Sequence, residues 1–171
     1  MRERPCDRCG ARLSKRKTTL EKPYKYALSG LDNLYLAGIT VCECSGCGAI
    51  VPIIPRLGEL HRAVAKELLG RQARLTGNEL RFLRKNAGIQ AAQFAVLLGI
   101  DPATLSRFET GRRRHLGPPT DKLARAIVGI AIDLPDELRS VLMDAAQKLA
   151  ADQTKRKRPT FKLERDHWCA A

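Results

Sequence analysis

Two copies of the pattern C-x-x-C-G, Cys6-Asp7-Arg8-Cys9-Gly10 and Cys44-Ser45-Gly46-Cys47-Gly48, constrain this chain more than any other feature. Two residues between thiolates let one tight turn aim both sulfurs at a single tetrahedral ion. The glycine that follows permits the backbone conformation that turns amides toward sulfur. Four thiolates match Zn²⁺, and the spacing predicts a small zinc ribbon in which strands bring two knuckles together around one structural ion per chain. A redox pair or an iron–sulfur centre is the alternative use of such cysteines. A closed four-sulfur site leaves no position for water, and no H-x-E accompanies it, so zinc catalysis is not expected. Cys42 lies two residues before Cys44 and reads as a small buried hydrophobe, because Cys44 completes the better motif. Cys169 reads as a free thiol.

Six cysteines in a secreted chain would suggest disulfides, but the sequence MRERPCDRC at the start has no apolar core of the secretory type. No run approaches the roughly 18 to 20 apolar residues that span a bilayer. A cytoplasmic protein without a membrane partner is expected. Thirty-one Lys and Arg against 18 Asp and Glu leave a net charge of +13, with an isoelectric point near 9.9. A polyanion, and so nucleic acid, is the expected partner. Only 5% of residues are aromatic, which argues against stacking platforms for single strands. The histidines His61, His115 and His167 are scattered, with no nucleophile motif to combine them, so no enzyme is expected.

The order of signals along the chain predicts an α+β fold: a small N-terminal β-rich zinc ribbon followed by an all-α helix-turn-helix domain. β-favouring stretches at residues 24–27 and 34–41 lie between the knuckles. Leu57, Leu60, Val64, Leu68 and Leu69 recur at helical spacing and predict a linking helix. The boundaries that follow are 1–55 for the ribbon, 56–75 for the linking helix, 76–133 for the helical domain, and 134–171 for a C-terminal helix and basic tail. Within the third segment, Thr76-Gly77-Asn78-Glu79 is a capping box that opens a first helix. A second helix covers residues 91–98 and stops at Gly99. Asp101-Pro102 supplies an N-cap and a first-turn proline for a third, closed by Gly111. Pro118 and Pro119 precede a fourth helix at 121–132, with Leu123, Ile127, Ile130 and Ala131 as its apolar positions. A fifth is expected at 135–151.

Residues 91–110 fit a helix-turn-helix. Ala95 is small where the helices approach, Gly99 occupies the turn, and Leu105 and Phe108 are core anchors. These anchors turn Ala103, Thr104, Ser106 and Arg107 outward, toward a major groove. Arg107 suits a bidentate contact with a guanine edge. Arg112, Arg113 and Arg114 follow and suit phosphate oxygens, and Gln90 and Gln93 can reach the backbone of the duplex. Glu109 reads as structural, paired internally with Arg84 or Lys85, since a carboxylate facing phosphate is repelled.

Gln93-Phe94-Ala95-Val96-Leu97-Leu98-Gly99 with Leu105-Ser106-Arg107-Phe108-Glu109-Thr110-Gly111 resembles the Xre/Cro helix-turn-helix family. The two C-x-x-C-G knuckles, with YALSGLDNLYLAG between them, resemble the YgiT-type zinc finger. Together, in this order, they are similar to the MqsA antitoxin family. The resemblance implies a homodimer that binds double-stranded, palindromic promoter DNA through its helix-turn-helix. It implies metal roles for Cys6, Cys9, Cys44 and Cys47, DNA contact by Arg107, and a zinc domain that in antitoxin members binds a toxin RNase. Two departures bear on the operator: Ala103 stands where the family has an Asn that reads DNA, and Ala91 where Xre proteins often have Gln. The expected function is a sequence-specific transcriptional regulator; the alternative is an antitoxin that autoregulates its operon. The stretch Lys155-Arg156-Lys157-Arg158-Pro159 is either an arm on phosphate or a solvated linker.

Overall fold

The computed structural model describes residues 5–135, 137, 138, 141 and 144, together with the backbone of 161–164 and 167–170. An antiparallel β region precedes a helical one, which is the α+β class expected. The elements in chain order are β1 (Leu13–Lys17), β2 (Tyr24–Lys25), a 3₁₀ turn (Ala27–Ser29), β3 (Tyr35–Leu36), β4 (Thr40–Cys44) and β5 (Ile50–Ile53). Helices α1 (Leu57–Gly70), α2 (Gly77–Asn86), α3 (Ala91–Leu97), α4 (Pro102–Glu109) and α5 (Pro118–Asp133) follow, then β6 (Phe161–Glu164) and β7 (His167–Ala170).

Strands β1, β4 and β5 form an antiparallel sheet in that order. Leu13 lies opposite Cys44, and Cys42 opposite Val51. The stretch expected at 34–41 divides into β3 and β4, because Gly38 turns between them with φ of 79°. Its amide donates to the Thr18 carbonyl, while the buried Thr18 hydroxyl donates to Ile39 and accepts from its amide. Strand β1 has the sequence LSKRK and no apolar alternation to announce it. It is held by pairing with β4 and by a diagonal bridge, in which Arg16 donates to Glu43 Oε1 at 2.9 and 2.7 Å.

The helices enclose one core in which Leu80, Leu83, Phe94, Leu105, Phe108 and Val128 are wholly buried. Helix α1 contributes Ala65 and Leu68 to this core, and the β region contributes Leu31. Tyr26 stacks on His61 of α1, donor or acceptor to its Nε2 at 3.2 Å, and His61 meets Phe82 of α2 edge-on. Asn78 donates to Asp32 across the same junction.

Arg125 of α5 ties the end of α1 in place. Its guanidinium donates to the carbonyls of Leu68, Leu69 and Arg71 at 2.9 Å and of Ala73 at 2.6 Å, and to Asp121 at 2.9 Å. The Leu68 and Leu69 carbonyls belong to the last turn of α1, which leaves them without helical partners. Asp121 Oδ1 in turn accepts from the Leu75 amide.

Helix α5 starts earlier than expected. Pro118 and Pro119 lie inside its first turn, where the missing N–H costs nothing. Its inward face is Ala124, Val128 and Ala131, whereas Leu123 and Ile130 are 43% and 58% exposed. Small residues are what the close approach of α5 to the core admits, so two of the apolar residues expected inside form an outer stripe. Most of the helix expected at 135–151 and the basic stretch at 155–159 lie outside the described residues. Strands β6 and β7, antiparallel with Phe161 opposite Ala170, have no signal in the sequence. Cys169 lies on β7, and its side chain is outside the described set.

Candidate metal centre and nucleic-acid interface

The two knuckles fold alike because they repeat the same hydrogen bonds. Gly10 N–H donates to the Cys6 carbonyl and Cys6 N–H to that of Ala11; Gly48 N–H donates to Cys44 and Cys44 N–H to Ala49. Both glycines take positive φ, 70° and 68°. Pairing of β1 with β4 brings the knuckles together, and the sulfurs of Cys6, Cys9, Cys44 and Cys47 all lie within 4.8 Å of one another. Cys6 and Cys47 sulfurs are 3.7 Å apart, Cys9 and Cys44 3.4 Å. A tetrahedral ion with metal–sulfur bonds of roughly 2.3 Å requires sulfurs roughly 3.8 Å apart, so the four residues fit a metal ion.

The centre is crowded in both volume and charge. A methyl added at Gly46 would come within 2.9 Å of Ala11 Cβ and 3.2 Å of Cys9 Sγ, so the second knuckle admits only glycine there. The amides of Cys47 and Gly46 pull the Cys44 thiol down to about 6 against the cost of burial. The Ala11 amide favours a Cys9 thiolate, but the thiols of Cys44 and Cys47, with desolvation, outweigh it and push Cys9 up to about 12. Four crowded sulfurs cannot all ionise without a positive charge among them. Cys42 stands apart from the group, half-buried on β4 rather than fully enclosed.

In the helical region, α3 and α4 form the two arms of the helix-turn-helix. The reason is local at each step. Asp101 Oδ1 accepts from the amides of Ala103 and Thr104, starting α4 at Pro102. Gly99, with φ of 63°, makes the turn. Ala95, Leu105 and Phe108 are buried as anchors. On the outer face of α4, Ala103, Ser106 and Arg107 are exposed and Thr104 is half-buried. Gln90 is exposed as the N-cap of α3, and Gln93 is half-buried, its Oε1 accepting from the Gln90 amide at 3.4 Å. Arg112, Arg113 and Arg114 are exposed in the loop after α4. That loop is anchored by the Arg113 amide, which donates to the Arg107 carbonyl at 2.9 Å.

The orientation of α4 is held from behind. Arg84 of α2 donates to both carboxylate oxygens of Glu109 at 2.7 and 2.9 Å, and to the Ile89 carbonyl at 2.9 Å. Their side chains are only 10% and 7% exposed. Of the two bases weighed as partners of Glu109, the structure takes Arg84; Lys85 is exposed. Gly77 was not singled out in sequence, yet a methyl there would collide with the Phe108 carbonyl oxygen. The start of α2 therefore lies directly against the end of α4, a contact with no sequence signal beyond the glycine itself.

Residues 76–142 match the model of a helix-turn-helix domain family. No curated protein and no solved structure matches the chain. The chain thus has a segment similar to helix-turn-helix domains behind a four-cysteine cluster able to hold a metal ion. Among the described residues no helix is long and apolar enough to cross a membrane.

Proposed function

We propose that the chain is a sequence-specific transcriptional regulator of the cytoplasm, binding a palindromic operator as a dimer. The observation that carries this reading is the outer face of α4. Exposed Ala103, Ser106 and Arg107 sit on a helix whose inner face, Leu105, Phe108 and Glu109, is held rigidly in the core. A rigid helix with an exposed arginine suits base readout, while Gln90, Gln93, Arg112, Arg113 and Arg114 flank it for phosphate. Thr104, half-buried, contributes its methyl or hydroxyl at the edge of the same face.

The N-terminal segment 1–55 is read as a ribbon built on one structural Zn²⁺, and 76–133 as the Xre-type reader. Dimerisation is supported by the outer stripe of α5, where Leu123 and Ile130 are exposed with Ile127 between them. A second copy of α5 is its natural cover. Selection of bound duplexes from random DNA is the test, and two half-sites about 10 base pairs apart are expected. Arg107→Ala should then weaken the selected site by roughly 1 to 3 kcal/mol and leave random DNA little changed. Equal losses on both would mean that Arg107 reads no base. Sedimentation of Leu123→Glu/Ile130→Glu should give a monomer.

A second reading, an antitoxin, is favoured by one observation. The β region exposes Leu20, Leu28 and Tyr35, the first two by 90% and 83%, beside a reader that does not need them. A small RNase encoded next to this gene, binding the full chain in a manner lost in Leu28→Asp, would support it. Absence of any such neighbour leaves the regulator alone.

A further inference from the structure

Beside the reading face lies a cleft of about 330 Å³, between the amino end of α2 and the loop that leaves α4. Arg74, from the connection between α1 and α2, meets Arg113, Arg114 and His115 on its walls, with Thr110 and Asn78 as neutral polar groups. None of the residues lining it is acidic. Among the described residues Arg74 and Arg114 form no ion pair, as is true of most arginines there. Three arginines and a histidine on the walls of one concave site favour an anion with several acceptor oxygens.

The cleft adjoins the carboxyl end of α4, since Thr110 and Gly111 close that helix and also line the cleft. We propose that it holds one phosphate of the DNA backbone, at a position flanking the bases read by α4, with Arg74 as a contact additional to the loop arginines. The proposal rests on the DNA-binding reading above. It adds to it a residue 28 positions before the start of α4, which no helix-turn-helix pattern would have drawn in.

The experiment uses the full metal-loaded chain and duplexes carrying a neutral methylphosphonate at one backbone position at a time. One flanking position should weaken wild-type binding and weaken Arg74→Gln distinctly less, the remaining loss coming from Arg113 and Arg114. In salt titrations Arg74→Gln should lower the slope of log affinity against log salt by about 0.9, which amounts to roughly eightfold in affinity at 0.1 M relative to 1 M. The loss should be equal on selected and random duplexes, and Arg74→Lys should retain the slope. Arg74 is exposed, so unchanged melting of both variants is the check on folding. An unchanged slope in Arg74→Gln, or no methylphosphonate position that distinguishes it from wild type, overturns the proposal. Protection of wild type but not Arg74→Gln by inorganic phosphate, with duplex binding equal in the two, also overturns it, in favour of a free phosphate ligand. If wild type binds no duplex at all, the first titration reveals that the underlying DNA reading has failed.

Discussion

Replacing Arg84 with methionine removes three donors from the space between α2 and α4: two from Glu109 and one from the Ile89 carbonyl. The methionine fills much of the volume, so the loss is chiefly electrostatic. A carboxylate with 7% of its surface exposed is left without a counter-ion, and breaking such a buried pair costs about 3 to 5 kcal/mol. Against a total stability of roughly 5 to 15 kcal/mol, this is a large fraction. The melting temperature should fall by at least about 12 °C, at roughly 4 °C or more per kcal/mol for a unit of this size. The partner substitution separates the loss of the ion pair from loss of packing. Arg84→Met/Glu109→Leu removes both charges and should recover to within about 1 kcal/mol of wild type. Thermal and urea melts followed by circular dichroism measure all three. If Arg84→Met alone melts within about 4 °C of wild type, the pair is not what holds α4, and the rigid presentation of Arg107 needs another cause.

Four further outcomes are expected. Arg125→Met should lower stability by about 3 kcal/mol, because four carbonyls and Asp121 lose their donor together; urea unfolding measures it. Gly99→Ala should cost about 1 to 2 kcal/mol from backbone strain alone, since its Cβ would meet nothing, whereas Gly77→Ala should cost about 3 kcal/mol or more by pushing α2 off Phe108. A similar cost for the two glycines would contradict the contact. Metal analysis should find one zinc per chain, lost in Cys47→Ser with unfolding of the β region. Its uptake should release protons and weaken as pH falls, because Cys9 is protonated without metal; iron, or two metals, would refute the ribbon. The Arg16 guanidinium, through its hydrogen bonds, holds the Glu43 carboxyl below the ordinary carboxylate range. The stability from that pair is therefore full above the ordinary range and lost as pH falls through the depressed value, so acid melts of wild type and Glu43→Gln should converge there.

The legible part of the helical region follows from signals that act over a few residues. Thr76 and Glu79 form their reciprocal cap within one turn of helix, and Asp101 starts α4 through amides two and three residues on. The β region was harder to read. Strand β1 is mostly charged, and β4 begins only after the turn at Gly38, so neither its number of strands nor their bounds could be taken from alternation. For the candidate metal centre, residue type and spacing named all four cysteines, because the turn between two thiols is itself local. For the side proposed to face DNA they named the helix and its exposed positions, but not the cleft that Arg74 shares with the loop after α4.

By itself, then, the sequence determined the features whose physics is confined to one turn or one cap: the two cysteine knuckles, the starts of α2, α3 and α4, and the glycine at the bend before α4. Only the tertiary structure decided which partner Glu109 takes, that Arg125 caps α1 from α5, and that Gly77 must be small because the Phe108 carbonyl lies against it. It also decided that Leu123 and Ile130 face outward while Ala124 and Val128 face in. In each case the groups lie far apart along the chain. Their meeting depends on how helices pack around a common core, and residue spacing within one helix carries no record of that arrangement.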